Sequence, residues 1–403
     1  MRIALLNAVD YGSTGRIMLD LASAAKERGF DVVALSGGRI KTKNKSSLSI
    51  RFSTPIDYYF HSIFGYLLGM DGILSFFSTR KLIRFLKKYN PDLLHLHILH
   101  GTYVNYKVLF KYLEKKEIKV VWTFHDCWAF TGRCPHFQIS KCNKWLNGCN
   151  KCLYPKSSYP QALTNLFNSS MWRKKKRIFN HIRFLTIVTP SNWLKSIVKQ
   201  SFFSNKKVEV INNGIDLSVF HPIDSSLKES IGAKNKKIVL GVANMWSTSK
   251  GIEVFSKLSN LLGNDYQIVL IGTVSSNCSL PKEIIHIERT YDQLELAEYY
   301  SIADVFINPT YEDTFPTVNI EALACGTPVI TFKTGGSPEI IDSDSGVIVE
   351  QGDCEALIRE IKRVCIEKPF SESACRKRSL LFSKQEMTRK YIDLYTDLLK
   401  END

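Results

Sequence analysis

Asp304 to Ile341 constrains the fold of this chain more than any other stretch. Val305-Phe306-Ile307 reads as a strand that breaks at Asn308-Pro309 into a polar turn. A short helix is predicted from near Pro316, whose missing N–H would lack a partner in a first helical turn anyway. It runs through Glu321 and stops at Gly326, a residue suited to the left-handed terminator position. Pro328 to Phe332 is the next strand, and Gly335-Gly336 the next loop.

Strand, acidic loop, helix, strand and glycine loop make a βαβ unit, and such units bind ligands at the carboxyl ends of their strands. The helix start offers the N–H groups of Phe315, Thr317 and Val318 to a phosphate. Glu312, Asp313 and Glu321 would repel a bare phosphate, so they are expected to serve hydroxyls. Phosphate donors beside hydroxyl acceptors describe a pocket for a nucleotide sugar.

The remaining chain reads as α/β throughout. Residues 3–8 form a strand, followed by the loop Asp10 to Arg16 and a helix from Ile17 to Arg28. Gly12 and Gly15 let backbone approach a ligand closely, although turns of this kind also need glycine for geometry alone. Residues 40–54 read as a flexible basic loop. Tyr58–Phe77 and the basic amphipathic helix Thr79–Tyr89 read either as packed helices or as a face that rests on anionic lipid. His97 follows one buried strand, and His125-Asp126 closes the strand Lys119–Phe124, where a histidine reaches the ligand crevice.

Cys134, Cys142, Cys149 and Cys152 then lie in a polar segment with no strand pattern. Their spacing predicts a structural zinc site, with free or redox-active thiols as the competing reading and Cys127 and His136 as rival ligands. The run Trp172–Phe179 is the densest positive stretch and reads as a solvated helix face or a second lipid contact. Ser191 is placed to cap a helix. Phe220 to 236 reads as the linker to a second α/β domain, and an amphipathic helix closes the chain from about 386.

With 403 residues, two domains of ordinary size are expected. The net charge of +15 calls for an anionic partner. Nucleic acid is excluded as the expectation, because no recognition module or aromatic-basic repeat is present. No charge-free window of about 20 residues predicts a membrane span. Met1-Arg2 runs straight into a strand, so no secretory leader is expected. The expected location is cytoplasmic, peripheral on the inner face of the membrane, with reduced cysteines.

Four motifs carry a family resemblance: the Gly12–Arg16 loop, Trp122–Asp126, Asn213–Asp216, and the acidic stretch through Gly336 with Glu321-Ala-Leu-Ala-Cys-Gly-Thr-Pro-Val329. The whole chain resembles the family 4 (group 1) glycosyltransferases of the GT-B fold, in the bacterial branch that builds capsule, exopolysaccharide or O-antigen. The resemblance implies two facing Rossmann-like domains, here 1–216 on the acceptor side and 217–385 for the nucleotide sugar, with a helix in 386–403 crossing back. It implies retaining transfer without a catalytic metal or other cofactor, from a UDP- or GDP-sugar to a glycan or polyprenyl-linked acceptor.

By position, the resemblance gives Glu321 the ribose hydroxyls and places Asp313 beside the transferred sugar, with Glu312 competing. Lys250 neutralises the diphosphate, His125 contacts the sugar, and Gly15 and Arg16 lie near the phosphates. The family's arginine about five residues before the lysine is absent, since Asn244-Met245-Trp246 stand there. A nucleotide-sugar epimerase, a glycan phosphorylase and a non-catalytic sugar-nucleotide-binding protein are the rival readings.

Overall fold

The computed structural model describes residues 1–37, 48–152, 154, 156 and 158–400. They divide into two units, one of Met1–Ile211 with Thr388–Asp403 and one of Asn212–Met387.

The first unit alternates strand and helix. In order it contains β1 (Arg2–Asn7), α1 (Gly12–Glu27), β2 (Asp31–Ser36), β3 (Ser49–Arg51), α2 (Pro55–Leu68), α3 (Phe76–Tyr89) and β4 (Leu93–Leu96). There follow α4 (Tyr106–Lys116), β5 (Lys119–Thr123), α5 (Asn168–Asn180), β6 (Leu185–Thr189), α6 (Asn192–Gln200) and β7 (Lys207–Val210). The sheet order is β3-β2-β1-β4-β5-β6-β7, with every pairing parallel. A parallel sheet is covered on both faces, which is why β4, β5 and β6 are buried at every residue. Of the segment expected as a flexible loop, residues 40–47 lie outside the described ones. Ser49–Arg51 instead form the edge strand β3, held by Ser49 and Arg51 bonding to the buried Asp10.

The second unit contains α7 (Leu227–Ser230), β8 (Lys237–Trp246), α8 (Ile252–Leu261), β9 (Tyr266–Val274), β10 (Ile285–Ile287), α9 (Gln293–Ile302) and β11 (Val305–Asn308). It continues with α10 (Thr317–Ala324), β12 (Val329–Phe332), β13 (Gly346–Val349), α11 (Cys354–Glu367), α12 (Glu372–Ser379) and α13 (Lys384–Lys400). Its parallel sheet runs β10-β9-β8-β11-β12-β13. Phe220, read from sequence as part of a linker, is 2% exposed in the core of this unit.

Helix α13 starts in the second unit, and from Thr388 onward it belongs to the first. Its buried tyrosines complete the first unit's core. The Tyr391 hydroxyl meets Thr123 Oγ1 at 2.8 Å, and the Tyr395 hydroxyl meets His95 Nδ1 at 2.5 Å. Lys119 donates its ammonium to the Leu398 carbonyl.

Candidate active site

In a doubly wound sheet the ligand crevice lies where the strand order reverses, outside the carboxyl ends of the two strands flanking that point. In the second unit the reversal falls between β8 and β11. The loop after β8 carries Lys250, and the loop after β11 carries Glu312 and Asp313. The two loops are tied together: the Tyr311 N–H donates to the Ser249 carbonyl at 2.9 Å, and Thr310 Oγ1 to the same carbonyl at 3.2 Å. Gly251 makes this approach possible. It adopts φ +76°, and a Cβ there would stand 2.3 Å from the Pro309 carbonyl oxygen.

Lys250 ends a short 3₁₀ turn, Thr248–Lys250, and does not itself open a helix. Its Nζ lies 2.7 Å from Asp313 Oδ2 and 3.3 Å from the Glu312 carbonyl oxygen. The lysine and the aspartate expected to serve phosphate and sugar separately are therefore paired with each other.

Helix α10 begins at Thr317 with Pro316 as its N-cap, and Gly326 follows it at φ +85°. The N–H of Phe315, expected as a phosphate donor, is instead taken by Asp313 Oδ1 at 3.2 Å. Thr317 and Val318, the first two helical residues, stand where intrahelical acceptors do not exist. Glu321 is half-buried one turn further on, and it accepts a hydrogen bond from the buried Tyr300 hydroxyl at 3.0 Å. Burial first, then the negative charge of Glu321 and this bond, raise the tyrosine's pKa well above its ordinary value. Ser337, after β12, is fully buried with no partner for its hydroxyl, a polar group that sequence reading passed over.

In the first unit the reversal falls between β1 and β4, and His97 and His125 extend from the ends of β4 and its neighbour β5. His97 Nδ1 and His125 Nε2 lie 3.0 Å apart with near-parallel rings, so one donates and the other accepts. The Trp122 indole N–H fixes the turn by donating to the His97 carbonyl at 2.9 Å. Burial lowers the His125 pKa to about 4 and that of His95 to about 3, so both are neutral at neutral pH. Asp126 behaves differently. Its Oδ2 lies 2.7 Å from His100 Nε2, its Oδ1 accepts the Trp128 N–H, and the pair opposes burial by raising the His100 pKa. Sequence spacing gave no sign of this ion pair.

Gly15 is buried within α1, and a Cβ there would come 2.7 Å from the Asp10 carbonyl carbon. Its own chain therefore already requires glycine. Arg16 is exposed.

Cys134, Cys142, Cys149 and Cys152 line one cavity of about 180 Å³, whereas the rivals Cys127 and His136 do not line it. The Gly132 N–H donates to Cys149 Sγ at 3.2 Å, and the Tyr154 N–H to Cys152 Sγ at 3.5 Å. Burial pushes the Cys149 thiol up to about 12. Among the described residues, no group of three or more His, Cys, Asp or Glu side chains is arranged to hold a metal ion.

The basic run on α5 is not a uniform solvated face. Trp172 is buried, and Lys175 is fully buried with its Nζ 3.3 Å from the centre of the Trp128 ring, donating to the Trp128 and Thr131 carbonyls.

Comparison with known proteins matches residues 14–219, half of the chain, to the model described as Glycosyltransferase Family 4. The chain belongs to glycosyltransferase family 4. A second model, Glycosyl transferases group 1, matches residues 224–378 of this glycosyltransferase. A putative colanic acid biosynthesis glycosyl transferase, WcaC of Escherichia coli (strain K12), is 24% identical over 76% of this chain and 77% of its own length. Sucrose-phosphate synthase from Thermosynechococcus elongatus superposes with a TM-score of 0.72 at 18% identity, covering 99% of each chain. HepE of Anabaena, solved in complex with UDP, gives a TM-score of 0.67 at 15% identity over 98% of this chain and 100% of its own. These likenesses agree with the two parallel-sheet units in assigning the glycosyltransferase the GT-B fold. Among its described residues no helix is long and apolar enough to cross a membrane.

Proposed function

We propose that this glycosyltransferase is a retaining enzyme that moves a sugar from a UDP- or GDP-sugar to a glycan or polyprenyl-linked acceptor in cell-surface polysaccharide synthesis. The observation that carries the reading is the Lys250–Asp313 pair at the second unit's switch point, where α10 also begins. A diphosphate leaving group needs positive charge where its own negative charge grows. Lys250 and the N–H groups of Thr317 and Val318 supply it, and Glu321 accepts from the ribose hydroxyls. WcaC, the relative named for colanic acid, supports the polysaccharide assignment.

Transfer proceeds on one face of the sugar. The bond from the anomeric carbon to the phosphate oxygen breaks, the acceptor oxygen bonds to the same face, and the acceptor proton passes to the leaving phosphate. Within the second unit Asp313 orients the transferring sugar, with Glu312 next to it; the sugar contact of the neutral His125 is a separate assignment on the first unit. Binding UDP-, GDP- and ADP-sugars in a thermal-shift panel tests the donor. A shift with a UDP- or GDP-sugar that vanishes in Lys250→Ala supports the reading; no shift with any of them overturns it.

Two finer assignments accompany this one. The enzyme works at an anionic membrane surface, where a polyprenyl-linked acceptor resides. The four-thiol cavity takes a structural zinc, supported by its four soft donors and by two backbone N–H groups directed at sulfur. The thiols must close from the cavity walls onto the ion. Metal analysis of purified protein should return about one zinc per chain; none, in protein purified without chelator, removes the assignment.

A further inference from the structure

Helix α2 is turned inside out. Its only buried residues are Asp57 and His61, both polar, while Ile56, Tyr59, Phe60, Ile63, Phe64 and Leu67 are exposed, Ile56 by 72%. These six recur at helical spacing and so form one stripe. The cause lies on the opposite side of the helix. Asp57 accepts the Ser78 N–H at the start of α3, and His61 takes Ser75 Oγ at 2.7 Å and the Gly72 N–H at 3.1 Å. A polar clamp thus holds α2 to the turn before α3, and the clamp fixes which face looks outward.

Helix α3 continues this surface with charge. Its exposed side runs Phe77, Arg80, Lys81, Arg84, Lys87 and Lys88, again at helical spacing, and Phe77 is 59% exposed. The sequence of α3 contains no acidic residue, and the one acid of α2, Asp57, is buried. Helix α2 therefore exposes apolar side chains, and α3, packed against it, exposes five cations and carries no acid. The α2 C-terminus widens the apolar part, since Leu163 donates its N–H to the Tyr66 carbonyl at 2.7 Å and is itself exposed.

We propose that α2 and α3 form a docking surface for an anionic lipid bilayer, with the α2 stripe entering the headgroup region and the α3 cations held at the phosphates. An exposed apolar stripe of this size is rare on a soluble monomer. Its occupant is selected by charge: five cations without an acid suit anionic headgroups and disfavour a neutral apolar partner. The inference deepens the membrane-surface reading above and names its surface. It is independent of the donor site and replaces the α5 run, whose Trp172 and Lys175 face inward.

The test uses full-length protein and vesicles of phosphatidylcholine alone or with phosphatidylglycerol. Flotation of the wild type is expected only with the anionic vesicles. Ile63→Ser with Phe64→Ser should weaken partitioning at least about tenfold, and Arg84→Glu with Lys88→Glu by about fivefold or more per residue. Both variants alter exposed side chains, and unchanged thermal melts confirm that they fold. Arg173→Glu with Lys176→Glu on α5 should leave partitioning within about twofold of the wild type. Wild-type flotation by the α2 variant, or none by the wild type, overturns the proposal. A lipid-free dimer that the α2 substitutions dissociate overturns it too, by assigning the face to a second copy. Donor hydrolysis in water is expected to persist in the α2 and α3 variants, so failure here is distinguishable from failure of the enzymatic reading.

Discussion

Lys250 Nζ and Asp313 Oδ2 stand 2.7 Å apart, joining the loops that follow β8 and β11. The pair holds the lysine at the switch point before any substrate arrives, and a diphosphate must share it. Removing the lysine removes charge that matters most as the leaving group departs, so Lys250→Ala should lower kcat/KM by about 10²- to 10³-fold. Asp313→Asn keeps the lysine and should lower kcat by about tenfold, with nucleotide affinity little changed. Steady-state kinetics with calorimetric titration of UDP separates the two effects.

Glu321 accepts from the buried Tyr300 hydroxyl, and a carboxylate offers about four lone-pair sites, a capacity that suits ribose hydroxyls. Loss of a charged acceptor weakens binding by about 1.5–3 kcal/mol. Glu321→Ala should therefore raise the donor KM by about 10- to 150-fold and change kcat much less. Initial rates across donor concentration measure both.

The histidine column makes the first unit acid-sensitive. Burial lowers the pKa of His95 to about 3 and of His125 to about 4, and also depresses His97. Unfolded, these groups titrate near 6.5, so between about pH 6.5 and 4 the unfolded chain binds more protons. Their contribution is present above pH 6.5 and lost as pH falls, at about 1.4 kcal/mol per pH unit for each histidine. His100, raised by Asp126, acts in the opposite sense: its stabilisation is present below pH 6.5 and lost as pH rises through its folded value. With His61, which burial also lowers, four groups against one predict a net loss of stability in acid, readable from denaturant midpoints between pH 7 and 5.

Gly15→Ala separates a structural glycine from a ligand-binding one. The added Cβ would press on the Asp10 backbone, so the apo protein should lose about 1–3 kcal/mol. An unchanged melting temperature without nucleotide would contradict that packing argument.

The strands were legible where burial on both faces writes continuous apolar runs, as in β5 and β11. So was α10, because a proline precedes it and a glycine follows. Strand β3 was not, since Ser49-Ile50-Arg51 carries no such run and is held by Asp10, far away in sequence. The chemistry divided the same way. Lys250 and His125 were visible as residue types in the segments after strands, and Glu321 as an acid within the helix predicted after β11. Their partners were hidden by sequence distance: Asp126 with His100, Tyr395 with His95, Lys250 with Asp313. In the α5 run Arg173, Lys176 and Arg177 are exposed as a solvated face requires, but the burial of Lys175 was unreadable, because a lysine flanked by lysines carries no mark of the Trp128 ring that receives it. The direction in which α2 faces was equally unreadable without the Asp57 and His61 clamp.

Helix α13 gives the first unit an order of completion opposite to its order of synthesis. Tyr391 and Tyr395 fill the space beside His95 and Thr123, yet both leave the ribosome after every residue of the second unit. The N-terminal unit thus waits on the C-terminal one with His95 half-partnered. A chain cut after Met387 would lose only residues of the first unit, and so would damage the body that residues 1–211 had already built.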